Sequence, residues 1–171
     1  MSDATNWESV PLRDLFSFER GKEKNMALLK EGDLPLVSAR NVNNGVKGFV
    51  GNPTKTLSGG NVMVIGFYHP YECIFSDDVK RFHLKHHEDN AFVLLFMKVV
   101  ILQQKSKFGY LYKFNAERMA NTRIMLPVTD DGAPDYEYME QYAKNLMLRK
   151  YKQYLSYLDS KEKTDTVATD N

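Results

Sequence analysis

Two stretches of this chain combine cations with groups able to touch bases and sugars. Arg40, Asn43, Asn44 and Lys47 cluster around an Asn44-Gly45 step. Arginine presents a fork of donors that suits guanine, and an asparagine amide suits adenine. Lys105, Lys107, Phe108, Tyr110, Tyr112 and Lys113 interleave charge with rings, which pairs phosphate contacts with packing against sugars or bases. The same alternation also describes a core-facing strand with its lysines turned outward. Arg20, Lys22 and Lys24 form a third cationic loop.

Other chemistry is less well supported. His83, His86, His87, Glu88 and Asp89 are a set of metal-ligand types close in sequence, and three histidines with an acid suit zinc or a nuclease metal. Adjacent His86 and His87 point apart in an extended chain, however, and no second ligand cluster is evident. A solvated loop explains them equally. Pro134-Asp135 opens a split acidic nuclease motif, yet Glu137-Tyr138-Met139 supplies no Glu-x-Lys. Neither G-x-x-x-x-G-K-[ST] nor G-x-G-x-x-G occurs, which argues against ATP-driven chemistry. Asn52-Pro53 continues as Thr54-Lys55 rather than as the aromatic-ended motif of an adenine methyltransferase. No nucleophile elbow accompanies the Ser, His and Asp residues. No cofactor is expected.

These groups must be held by a scaffold. Trp7 to Phe18 predicts a short strand and turn that anchors the N-terminus in the core. Leu34 to Ala39 predicts a buried strand, and Asn44-Gly45 after it is a strong hairpin signal because both positions accept positive φ. The Arg40 to Lys47 segment therefore belongs at an exposed tip. Asn61 to Phe67 and Cys73 to Phe75 predict further strands, and Val79 to Leu84 alternates as a half-buried one. Asn90 is placed to cap a helix carrying Phe92, Leu95, Phe96, Val99, Val100 and Leu102. Asn115 to Met119 predicts one helical turn. Ile124 to Val128 predicts a buried strand with Pro127 near its end, and Asp130-Asp131-Gly132 supplies a turn. A helix follows from about Ala133, with Pro134 at its first position and Asp135, Glu137 and Glu140 on the positive end of its dipole. Tyr136, Met139, Ala143, Leu146, Met147, Tyr151, Tyr154 and Leu158 recur at steps of three and four, giving that helix an apolar face. Tyr142 and Tyr157 lie beside it. Such a face suits either this domain or a partner, and tyrosines suit a half-wet interface.

With 171 residues, 43% of them hydrophobic, the chain is large enough for one real core. No run of about 18 apolar residues and no leader pattern is present, so a cytoplasmic protein without a membrane span is expected. A lone Cys73 makes no internal disulfide. The net charge of +1 hides an uneven distribution. Residues 20–55 carry seven Lys/Arg against three acids, and residues 80–123 carry nine against three, whereas 124–171 hold six against nine. Positive charge is thus concentrated in mid-sequence, where a polyanion would bind.

The residues Trp7 with Val10-Pro11-Leu12, Pro35-Leu36-Val37 leading to Asn43-Asn44-Gly45-Val46, Phe75-Ser76, and above all Ile124 to Val128 with Gly132 to Asp135 and Tyr138-Met139-Glu140 resemble the target-recognition domains of type I restriction-modification specificity subunits. The similarity covers most of residues 7–158. It implies an α+β fold: a compact mixed or antiparallel sheet domain with one or two packed helices, then a long C-terminal helix. Residues 1–132 would read double-stranded DNA. Residues 133–158 would form a spacer helix that pairs antiparallel with another, through Met139, Tyr142, Leu146, Met147, Tyr151, Tyr154 and Leu158. Residues 159–171 are expected to be disordered. The resemblance further implies a non-catalytic subunit working with a methyltransferase subunit and possibly a restriction subunit. A subunit of half length would dimerise through its helix or belong to a larger chain. Two other readings are a metal-dependent nuclease using His83 to Asp89 and a helix-mediated adaptor that binds no DNA.

Overall fold

A computed structural model describes residues 6–23, 26–40, 42–52, 62–64, 67–104, 106 and 115–169. The strands are β1 (Asn6–Pro11), β2 (Phe16–Arg20), β3 (Glu31–Val37), β4 (Val46–Val50), β5 (Val62–Val64), β6 (Phe67–His69), β7 (Ile74–Phe75), β8 (Lys80–Leu84) and β9 (Arg123–Val128). The helices are α1 (Leu12–Leu15), α2 (Ala91–Leu102), α3 (Ala116–Asn121) and α4 (Tyr136–Thr169). Among the described residues the strands form an antiparallel β1-β9 ribbon, a four-stranded sheet β2-β8-β5-β6, and a three-stranded sheet β4-β3-β7 whose β3-β7 pairing is parallel. This is the expected α+β architecture.

The main core gathers around α2. Its sequence AFVLLFMKVVIL has one charged residue, and a helix apolar on nearly every side has to be surrounded. Val93, Leu94, Met97 and Ile101 are buried with Leu12, Leu15, Phe16, Phe82, Met119, Ile124, Leu126 and Met139. Phe82 of β8 meets Phe16 and Phe18 of β2 edge-on, at ring distances of 5.3 and 5.0 Å, the arrangement that ring quadrupoles favour. The helix starts as expected: Asn90 Oδ1 accepts from the Phe92 and Val93 amides at 2.9 and 3.3 Å. Asn115 caps α3 in the same way through the Arg118 amide.

Four expectations are corrected. Leu12, Leu15 and Phe16 do anchor the N-terminal segment in the core, but Trp7 is 46% exposed, since among the described residues β1 pairs with β9 alone; the ring lies 6.3 Å from Phe96. Within the 61–67 run, Val62–Val64 form β5 while Phe67 already belongs to β6, which pairs antiparallel with it. Helix α4 begins at Tyr136 rather than Ala133. Gly132 takes φ 81°, Pro134 bridges back to Val128, and Asp135 becomes the cap, its Oδ1 accepting from the Tyr138 amide at 2.8 Å. At the other end the helix runs on to Thr169, where disorder was expected. No glycine or proline follows Leu158 to break it, and Lys, Glu and Ala carry good helix propensity.

His69 is fully buried, and among the described residues neither ring nitrogen finds a partner. It sits among the rings of Tyr71 and Phe75, each 5.9 Å away. Burial, helped by the Lys98 charge, pushes its pKa down from 6.5 to about 4. The unfolded ring binds a proton more readily than the folded one, so stability is complete above pH 6.5 and falls as pH drops from 6.5 toward 4. The expected contribution approaches about 1.4 kcal/mol per pH unit in that window. Urea unfolding of wild type and His69→Phe across pH 4–7 checks this: the difference between their pH slopes should vanish above 6.5 and no longer vanish below it.

Candidate nucleic-acid interface

The β3-β4 hairpin carries the first candidate group. Asn43, Asn44 and Gly45 are consecutive left-handed residues, with φ of 51°, 53° and 78°. Asparagine and glycine are the residue types that adopt this conformation at least cost. The Ser38 amide donates to the Gly45 carbonyl at 3.0 Å, and the Gly45 amide to the Val42 carbonyl at 3.0 Å. Asn44 Nδ2 donates to the Tyr68 carbonyl at 3.3 Å, tying the tip to β6. Around this turn Arg40, Asn43, Asn44 and Lys47 are all exposed, and Arg40 Nη1 reaches the Lys47 carbonyl at 3.4 Å. Among the described residues no carboxylate pairs with Arg40. The four residues that sequence placed at a tip do stand together there.

The second group is arranged differently. Arg20 lies 3.4 Å from the Asp77 carboxylate and also donates through Nε to the Asp77 carbonyl. Lys22 Nζ is 3.2 Å from Glu19, whose Oε1 also meets Arg81 at 2.5 Å. Partial desolvation pushes the Glu19 carboxyl up, but the Lys22 hydrogen bond and the Arg81 and Lys22 charges outweigh it and hold the pKa below its usual value. Arg20 and Lys22 therefore have local carboxylate partners that Arg40 lacks. Lys24 lies outside the described residues, as do Lys105, Lys107, Phe108, Tyr110, Tyr112 and Lys113.

The histidine cluster serves the scaffold. His83 Nδ1 is 2.7 Å from Asp89 Oδ2, while Asp89 Oδ1 accepts from the Leu84 amide at 2.9 Å. This clamp closes the loop between β8 and α2. His87 lies against the Tyr136 ring at 4.6 Å and its Nδ1 meets the Glu88 carbonyl. His86 is exposed. Among the described residues no group of three His, Cys, Asp or Glu side chains converges to hold a metal.

The residues expected to face a partner along α4 divide into two sets. Met139 is fully buried in the domain core. Tyr142 meets Phe96 edge-on at 5.7 Å, and with Leu146 and Met147 it lines an open groove of about 580 Å³ shared with Trp7, Phe96 and Met125. Beyond the domain the apolar face has no cover: Met147 is 53%, Tyr151 60% and Tyr154 55% exposed, and Leu158 is half-buried. Sequence reasoning missed the groove and also Phe49, which stands exposed on β4 beside the tip.

Residues 4–155 match the family model described as the type I restriction modification DNA specificity domain. The chain belongs to that family. It is 46% identical over 145 residues to the specificity subunit S.BcgI of a type II restriction enzyme from Heyndrickxia coagulans, covering 80% of this chain and 42% of that protein. The fold of this specificity domain is similar to the S subunit of a type I restriction-modification system from M. genitalium, with TM-score 0.59 and 16% identity over 91% of this chain and 42% of that one. It is also similar to the HsdS subunit from Thermoanaerobacter tengcongensis, with TM-score 0.57 and 13% identity over 89% of this chain and 40% of that one. The domain spans about two fifths of the length of these relatives.

The left-handed turn gives a test that needs no ligand. Gly45→Ala forces a side chain onto φ 78° and is expected to cost about 1–2 kcal/mol. Arg40→Gln, on an exposed side chain, should leave thermal unfolding within about 0.5 kcal/mol of wild type. A Gly45→Ala protein that melts like wild type would show that the turn is not the strained element described.

Proposed function

We propose that this chain is a non-catalytic subunit or domain that reads double-stranded DNA by sequence and directs partner subunits, a methyltransferase first among them, to the site. The observation that carries the reading is the β3-β4 tip, where an arginine, two asparagines and a lysine surround a rigid turn in a member of a DNA specificity family. Arginine and asparagine match guanine and adenine edges, and cations supply the salt-sensitive part of the affinity. Residues 1–132 would be the reading unit and the following helix the spacer. S.BcgI is described as a specificity subunit, and a solved structure similar in fold concerns assembly of a type I complex, which supports work beside partner subunits. Among the described residues no helix is long and apolar enough to cross a membrane, which is compatible with a site of action in the cytoplasm. Among the described residues the nuclease reading finds no converged ligand set.

The uncovered face of α4 favours a second helix as its cover. Met147, Tyr151, Tyr154 and Leu158 follow steps of four, three and four, the heptad spacing of a coiled-coil seam. In a half-length subunit the second helix would come from a second copy, and two-fold symmetry would then imply a palindromic, interrupted site.

Two measurements test these statements. Arg40→Gln with Lys47→Gln should lower the slope of log affinity against log salt by roughly two units on a duplex selected by the full chain; an unchanged slope would remove the tip from the interface. Tyr151→Glu with Tyr154→Glu should convert a dimer to a monomer in sedimentation velocity while the far-ultraviolet spectrum stays helical. A wild-type chain that sediments only as a monomer rules out pairing with a second copy.

A further inference from the structure

Among the described phenylalanines Phe49 alone is exposed, at 57%. This position follows from the strand register. Phe49 stands opposite Pro35 on the outward face of the β3-β4 ribbon, whereas Val50 and Leu36 turn inward against Ile74. Lys47 is exposed two residues nearer the turn, at the register shift between the Leu36–Gly48 and Val37–Val46 pairs, and Arg40 is held beside it through the Lys47 carbonyl. The ring is thus flanked on the tip side by two cations. The β3 carboxylates, Glu31 and Asp33, lie beyond the Pro35–Phe49 pair at the far end of the hairpin.

β4 is the outer strand of the β4-β3-β7 sheet, and strands can present side chains to the major groove of B-form DNA, where the thymine methyl is the apolar feature that an aromatic ring can touch. We propose that Phe49 is a specificity-determining residue that rests on a thymine methyl in the major groove while Arg40 and Lys47 meet neighbouring phosphates. This rests on the DNA-reading function above. An apolar surface for a protein partner would not need cations around the ring, and their charge complements phosphate.

Apolar contact releases no counterions, so Phe49 should contribute affinity without contributing salt dependence. The test uses a duplex selected by the full chain from a random pool, prepared once with thymine and once with deoxyuridine throughout. Wild type is expected to lose about fourfold in affinity when the methyl is absent. Phe49→Ala should bind the thymine duplex at least as weakly as wild type binds the deoxyuridine one, show no further loss on deoxyuridine, and keep the wild-type salt slope. Phe49→Leu should recover part of the loss, and thermal unfolding of both variants should match wild type. A Phe49→Ala protein that remains as sensitive to deoxyuridine as wild type overturns the contact. So does a Phe49→Ala loss in the absence of any methyl effect in wild type, which would instead indicate a wedge between base steps. If wild type selects a sequence but ignores the methyl, only this contact falls; if it selects no sequence, the DNA-reading function falls with it.

Discussion

The burial of α2 is the constraint on which the rest of the molecule depends. A helix with a single lysine among twelve residues has little to offer solvent, and other elements close over Val93, Leu94, Met97, Val100 and Ile101, while Phe96 and Val99 border the open groove. The sheet containing β2, β8 and β5 covers one side, β9 contributes Ile124 and Leu126, and α4 contributes Met139. The first turns of α4 are thereby fixed to the reading domain by core packing, with Asp135 setting where the helix begins. Direction imposed at that point is carried along a helix of 34 residues, about 51 Å. The helix is aimed by this main core, whereas the hairpin sheet packs in two separate clusters, one around Val37, Cys73 and Phe75 and one around Leu36, Val50 and Ile74.

Charge in this protein has two uses, and geometry separates them. Glu19 gathers Lys22, Arg81 and, at 3.7 Å, His83 on the outer face of β2 and β8. Asp77 holds Arg20, and Asp89 holds His83. Apart from the one made by Arg81, which is buried, these pairs are exposed or half-exposed and contribute little stability each, but they consume cations that the sequence alone counts toward a basic patch. Arg40 is not consumed in this way among the described residues, and it stands beside the left-handed turn at Asn43 to Gly45. The uneven charge along the chain is real; its concentration on one surface is narrower than the sequence balance of 20–55 implies.

Much of the fold was legible because its signals are local. Asn90 before an apolar run, Asn44-Gly45 between two strands, and Gly132 after Ile124 to Val128 each act through their own backbone neighbours, and each appears where expected. Misreadings arose where burial depends on distant partners. Trp7 belongs by type to a core, yet only β9 borders its strand. The polar residues after Leu158 promise nothing to bury, yet a helix already nucleated at Asp135 is free to continue through them. At the candidate site the sequence indicated Arg40, Asn43, Asn44 and Lys47 through turn chemistry. Phe49 gave no such signal, since a phenylalanine in a strand ordinarily points inward and its outward direction is set by the pairing with Pro35.

The left-handed run at Asn43 to Gly45 also bears on how such a domain can diverge. Most side chains are excluded from those three positions by backbone sterics, and Asn44 is further committed to the Tyr68 carbonyl. Substitutions there would sacrifice the architecture before altering what it reads. Variation is instead open at exposed positions such as Val42 and Phe49, which border the turn without taking a left-handed conformation. A lineage acquiring a new preference would accordingly change the residues bordering the turn and retain the turn itself.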